Sequence, residues 1–181
     1  MNIIIGIDPG SCVTGYGLIQ HNKGNIQHIA HGTIKTKSAE PAQRLHEIFR
    51  GITEIITASS PCEAAIEQIF TCHNHQSALK LSQARGAALV ALAQAGLSVA
   101  EYSAKQVKSS VVGYGGADKH QVQQMIRALL KLTQTPAPDA ADALAIAICH
   151  CHHQSLQRKI ADYDHAINRN SARKTTPLVS D

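Results

Sequence analysis

Apolar residues crowd the start of the chain: isoleucine fills four of the five positions 3–7, and only Gly6 interrupts it. A short apolar run without alternation suits a strand buried on both faces, and Pro9-Gly10 supplies the turn that ends it. Asp8 is thereby predicted at the C-terminal end of a first strand. Residues 14–20 read as a second strand, His21-Asn22-Lys23-Gly24-Asn25 as a polar turn, and residues 26–36 as a third strand. Links this short force antiparallel neighbours, so the chain opens as a three-stranded meander.

The period then changes from two to that of a helix. Pro41 suits a first helical turn, and Leu45, Ile48, Phe49, Ile52, Ile55 and Ile56 follow at helical spacing up to Ser59-Ser60-Pro61. A helical crossover of this kind delivers the next strand, residues 63–68, parallel to the first. Glu67 ends that strand as Asp8 ends its neighbour. Adjacent strands lie roughly 4.8 Å apart, so two carboxylates at such ends can share one or two cations. Open α/β sheets carry their sites at this edge. Alone, Asp8 has a plainer reading as the cap of an Asp-Pro-Gly turn; paired with Glu67 it becomes a metal ligand.

Residues 77–95 form the next helix, and all residues from Ala87 to Ala93 are apolar. One sheet cannot cover such a stretch on every side. Either another helix of the same chain or a second subunit must cover the rest; its small-residue face, with Ala88 and Ala91, is expected at a subunit interface, where a charge at either alanine would give monomers. A fifth strand occupies residues 97–102. Ser103-Ala104-Lys105-Gln106 and Asp118-Lys119-His120-Gln121 are capping boxes that start two further helices on either side of the glycine loop 112–116. Lys105, Lys108 and Lys119 flank that loop and are candidates for gripping a phosphate backbone, against the plainer reading of scattered surface lysines. The last helix opens at Pro136-Ala137-Pro138-Asp139-Ala140-Ala141-Asp142. Asp139 and Asp142 lie three apart on one helical face, at the positive end of the helix dipole. Ordinary capping is the alternative, but two aspartates behind Pro-x-Pro and among alanines suit a hard divalent cation better.

Composition narrows the setting. With 181 residues and 44% apolar content the chain can bury one core. The expected division is a single folded domain over residues 1–156 and a mobile basic tail over 157–181 carrying Arg158, Lys159, Arg169, Arg173 and Lys174. No apolar run is long enough for a membrane span and no leader precedes Asp8, so a cytoplasmic protein is expected. Five cysteines without a C-x-x-C pair argue for reduced thiols. The formal charge of +4 permits a polyanionic partner without requiring one. Cys149-His150-Cys151-His152-His153 suggests zinc, but on a continuous helix these side chains point all round the axis.

Several of these segments together resemble the RuvC family of bacterial Holliday-junction resolvases: Gly6-Ile7-Asp8-Pro9-Gly10 with Thr14-Gly15-Tyr16-Gly17, Ile66-Glu67-Gln68 with Phe70, Ala78-Leu79-Lys80-Leu81 with Gln83-Ala84-Arg85-Gly86, and Asp139-Ala140-Ala141-Asp142-Ala143-Leu144-Ala145. The resemblance spans roughly residues 3–155. It implies an α/β, ribonuclease-H-like fold: a five-stranded mixed sheet, its first three strands antiparallel, with helices on both faces. It also implies a homodimer that places paired nicks in four-way junction DNA, leaving 5′ phosphate and 3′ hydroxyl. Asp8, Glu67, Asp139 and Asp142 match the family's acidic positions as catalytic and metal-binding residues. Their oxygen donors suit Mg²⁺, with Mn²⁺ accepted, as two ions about 4 Å apart. Phe70 is expected to stack on or wedge beside an unpaired base. Further partners implied are a branch-migration motor and its junction-binding protein. Two rivals are an actin-like nucleotide-binding domain, for which the chain offers one phosphate loop where two subdomains are needed, and a non-catalytic junction-binding scaffold. The scaffold does not account for carboxylates gathered near phosphates.

Overall fold

The computed structural model describes residues 2–22, 24–69 and 75–174, with side chains as far as residue 163. In chain order the elements are β1 (Asn2–Asp8), β2 (Val13–Asn22), β3 (Asn25–Lys35), α1 (Pro41–Ser59), β4 (Glu63–Glu67), α2 (His75–Gln94), β5 (Val99–Tyr102), α3 (Ala104–Val112), α4 (Lys119–Leu129) and α5 (Pro138–Lys174). They build a five-stranded sheet in the order β3-β2-β1-β4-β5. The meander β1-β2-β3 is antiparallel, and β4 and β5 run parallel to β1. Among the described residues no helix is long and apolar enough to cross a membrane. The chain divides into the compact unit Met1–Cys151 and a second unit, His152–Asp181, into which α5 continues.

Two apolar layers sandwich the sheet. Ile5, Ile7, Ala64 and Ile66 pack with Ile48 and Ile52 of α1 and with Ala84, Ala88, Ala91 and Leu92 of α2. On the other face Ile4, Ile19 and Ala65 pack with α3, α4 and the buried run of α5 from Ala143 to Cys151. The expected capping boxes start α3 and α4, with Ser103 paired to Gln106 and Asp118 to Gln121. The fifth strand begins later than its sequence suggests. Leu97 still closes the end of α2, its N–H donating to the Leu92 carbonyl at 3.2 Å, so extended pairing starts at Val99.

The small-residue face of α2 lies elsewhere than expected. Ala88 and Ala91 are buried inside the chain's own core, because α1 covers that side of the helix as well as the sheet does. A charge at either position would strike the fold before it reached any partner. The large apolar side chains left outward on α2 are Leu79, 64% exposed, and Val90, 57% exposed.

Within the cysteine and histidine cluster of α5, the stretch from Cys149 to Cys151 is spent on packing. Cys149 and Cys151 are buried. His150 bridges two strands, its Nδ1 lying 2.8 Å from the Tyr102 hydroxyl and its Nε2 2.9 Å from Glu63 Oε2. With Nε2 protonated, the imidazole accepts from Tyr102 and donates to Glu63. This bridge fixes α5 against β4 and β5, and burial holds the Tyr102 hydroxyl protonated, its pKa pushed up to about 12.

Candidate active site

Strand alternation decides which acids meet. In β1, Ile5 and Ile7 face the α1 and α2 layer and Ile4 faces α5, so Gly6 and Asp8 share the α5 side. In β4, Ala64 and Ile66 face one way and Ala65 the other, which turns Glu63 and Glu67 toward α5 as well. Ile7 pairs with Ile66 in the parallel ladder, so Asp8 and Glu67 are the next neighbours at the strand ends. Their side chains share a hydrogen bond.

The first turn of α5 brings Asp139 and Asp142 to the same edge. The helix can sit this low because the strands beneath it carry glycine. A Cβ on Gly15 would collide with the main-chain carbonyl of Asp139, and one on Gly6 with that of Ala143. Gly15 is also the ladder partner of Asp8, so a single missing side chain admits the helix start beside the first carboxylate.

The result is a cleft of about 250 Å³ in which Asp8, Glu67, Asp142, Lys108 and Lys119 line the mouth above Ala104, Val107, Val122 and Ile146. A larger groove of about 870 Å³ runs beside β3 and the α4–α5 connection, but no acidic residue lines it. Asp139 is not part of the cleft wall, although its charge acts on Asp8 and Asp142. Lys105 also lies outside it, its stem packed along Gly115. Phe70 lies outside the described residues. Val107, Val122 and Ile146, which set the depth of the cleft, were not singled out from the sequence. Helical periodicity marks them as buried but does not say which buried positions border the acids.

Charge in the cleft is under-compensated. Burial, then the neighbouring Glu67, Asp142 and Asp139, pushes the Asp8 carboxyl up to about 8, while its side chain stays hydrogen-bonded to Glu67. Glu67 is raised by burial and by Asp142, with the hydrogen bond from Asp8 opposing. Asp142 is raised by burial even though Lys119 Nζ lies 3.5 Å from its Oδ2. An ordinary ion pair would lower an aspartate; here desolvation outweighs a lysine whose side chain is 74% exposed. Among the described residues no three His, Cys, Asp or Glu side chains are drawn tightly enough to hold one ion as they stand. What opposes the charge of the acids is Lys119, through its long contact with Asp142, and Lys108. Oxygen donors raised in this way favour whatever cation relieves them, and their hardness fits Mg²⁺ or Mn²⁺.

Over most of its length the chain is similar to known proteins of one name. Residues 4–150 match the family model described as crossover junction endodeoxyribonuclease RuvC. The protein of that name from Coxiella burnetii (strain RSA 493 / Nine Mile phase I) is 58% identical over 158 residues, 87% of this chain and 92% of the relative. Its namesake from Tolumonas auensis is 51% identical over 173 residues, 96% of this chain and 100% of the relative. Among solved structures, T. thermophilus RuvC in complex with a Holliday junction substrate superposes with a TM-score of 0.81 at 33% identity, covering 87% of this chain and 97% of that one. The yeast mitochondrial Holliday junction resolvase, at 12% identity and a TM-score of 0.69 over 91% of this chain and 83% of its own, shares the fold. The ribonuclease-H-like sheet and the match over nearly the whole described core lead to one conclusion: the chain belongs to the RuvC family of crossover junction endodeoxyribonucleases.

Proposed function

We propose that this endonuclease cuts four-way DNA junctions by divalent-metal-dependent hydrolysis, with Asp8, Glu67, Asp139 and Asp142 as its acidic centre. The observation that carries the reading is the cleft in which Asp8, Glu67 and Asp142 meet with their carboxyls held above the ordinary range, an arrangement that a cation relieves and a phosphate alone would worsen. Asp8 stands between the strand acid Glu67 and the helix acids, which suits it to bridge two sites. Mg²⁺ bound by these residues would supply an activated water and neutralise the leaving 3′ oxygen. Lys108 and Lys119 at the cleft mouth would hold the scissile strand by its phosphates and exchange Lys119's contact with Asp142 for the backbone. Lys105, further out, and Phe70 would touch the flanking duplex and an unpaired base.

A junction presents two strands of like polarity about a two-fold axis, so two copies of the chain would be needed to nick both. The outward Leu79 and Val90 of α2 give that dimer an apolar contact. A branch-migration motor and its junction-binding protein, both implied by the family, would present the substrate. The tail beyond residue 156 would add no more than non-specific attraction for DNA.

The test is cleavage of a synthetic four-way junction beside a linear duplex of the same sequence, with and without Mg²⁺. Symmetric, ligatable nicks in the junction alone, and only with the ion, are expected. Equal cutting of the duplex, or cutting in EDTA, would contradict the reading.

A further inference from the structure

Arg85 lies on α2, across the sheet from the carboxylates, and nothing in the chemistry above uses it. Its Nε donates to the main-chain carbonyl of Glu67 at 3.1 Å, and its Nη2 lies 2.6 Å from Glu101 Oε2. Strand alternation explains the pairing: Val99 of β5 belongs to the α1 and α2 layer, so Glu101, two residues on, faces α2 as well. Only 18% of the Arg85 side chain is exposed, which leaves it little surface to offer a polyanion.

The placement of that hydrogen bond is what matters. Glu67 is the last residue of β4, where the pairing with β5 ends at Glu67 opposite Tyr102 and the Gln68 N–H donates to the Tyr102 carbonyl at 2.8 Å. The Glu67 carbonyl points away from that bond and is taken by Arg85. Both sides of the peptide plane after Glu67 are thus fixed, and with them the backbone from which the Glu67 carboxylate projects toward Asp8. A planar guanidinium can hold the carbonyl and Glu101 at once, whereas an ammonium on a flexible stem is a single point of charge. Glu101 in turn keeps the guanidinium neutralised and aimed.

We propose that Arg85 is a positioning residue for the acidic centre: from the opposite face of the sheet it locks the Glu67 peptide, with Glu101 as its anchor, so that the Glu67 carboxylate stays in register with Asp8 for cation binding. The inference rests on the metal-dependent nuclease reading and deepens it. Outer contacts that orient a ligand govern metal affinity, and their loss costs about tenfold or more.

The test uses the full chain with Arg85→Gln, Arg85→Lys and Glu101→Gln. Mn²⁺ binding to each protein alone is measured by titration, beside the single-turnover rate on saturating four-way junction and the junction affinity in EDTA. Arg85→Gln is expected to weaken Mn²⁺ binding and slow single-turnover cutting, each by about tenfold or more, with junction affinity in EDTA changed less than about twofold. Arg85→Lys should recover part of both losses, and Glu101→Gln should show a smaller loss of the same kind. If Arg85→Gln weakens junction binding while its Mn²⁺ affinity and saturated rate stay at wild-type values, Arg85 is a DNA contact and the proposal is overturned. Should Arg85→Gln fail to fold by circular dichroism, the other two variants decide, and wild-type Mn²⁺ affinity in both overturns it. A wild-type protein that cuts no junction would count against the nuclease reading instead, since the Mn²⁺ titration scores Arg85 without cleavage.

Discussion

Asp8 is the residue on which the charge balance turns. Its carboxyl is pushed up to about 8, first by burial and then by Glu67, Asp142 and Asp139, while Lys119 opposes. Glu67 and Asp142 are shifted in the same direction. A carboxyl raised in the folded state binds more protons there than in the unfolded chain, so its contribution to stability falls as pH rises from about 4 to about 8. In EDTA the wild type should therefore lose thermal stability relative to Asp8→Asn as pH climbs through that window. The variant should melt higher near pH 8. Added Mg²⁺ should narrow the gap by stabilising the wild type more. Differential melting curves at several pH values check this, and a wild type that gains on the variant with rising pH would refute the assignment of Asp8 as the frustrated acid.

At the scale of elements, much was legible in the sequence because each element carries its own period and punctuation. The isoleucine run and Pro9-Gly10 bound β1, the spacing of Ile48, Ile52 and Ile56 sets the inner face of α1, and the capping boxes at Ser103 and Asp118 start α3 and α4. The meeting of Asp8 with Glu67 followed from a single crossover between parallel strands. The facing of α2 was not legible. From Ala87 to Ala93 every residue is apolar, so the stretch has no polar side to orient it, and the choice of Ala88 and Ala91 for burial is made by α1. Nor could the strand glycines announce that α5 would rest on Gly6 and Gly15, since that contact joins residues more than a hundred positions apart. The outward stripe on α2 is instead Leu79, Gln83, Gly86 and Val90, at helical spacing, with open space around Gly86. Val90→Glu should leave the melting temperature near that of the wild type and convert a dimer to monomers in sedimentation velocity. A Val90→Glu variant that still sediments as a dimer would remove α2 from the interface.

For the whole molecule, a net charge of +4 is a small attraction for so dense a polyanion as DNA, and the cleft itself gathers acids. The proposed function accordingly assigns binding and cutting to different residues: lysines and the outer surface for the grip, carboxylates for the chemistry. Removing one carboxylate takes away a cation ligand and also a charge that repels phosphate, so the two activities should separate. The most direct measurement pairs cleavage and binding of a four-way junction by the wild type and by Asp8→Asn in the same Mg²⁺ buffer. The account predicts cutting reduced to background in the variant, with junction affinity equal to or tighter than that of the wild type. Cutting by Asp8→Asn at a rate near the wild type's would contradict it.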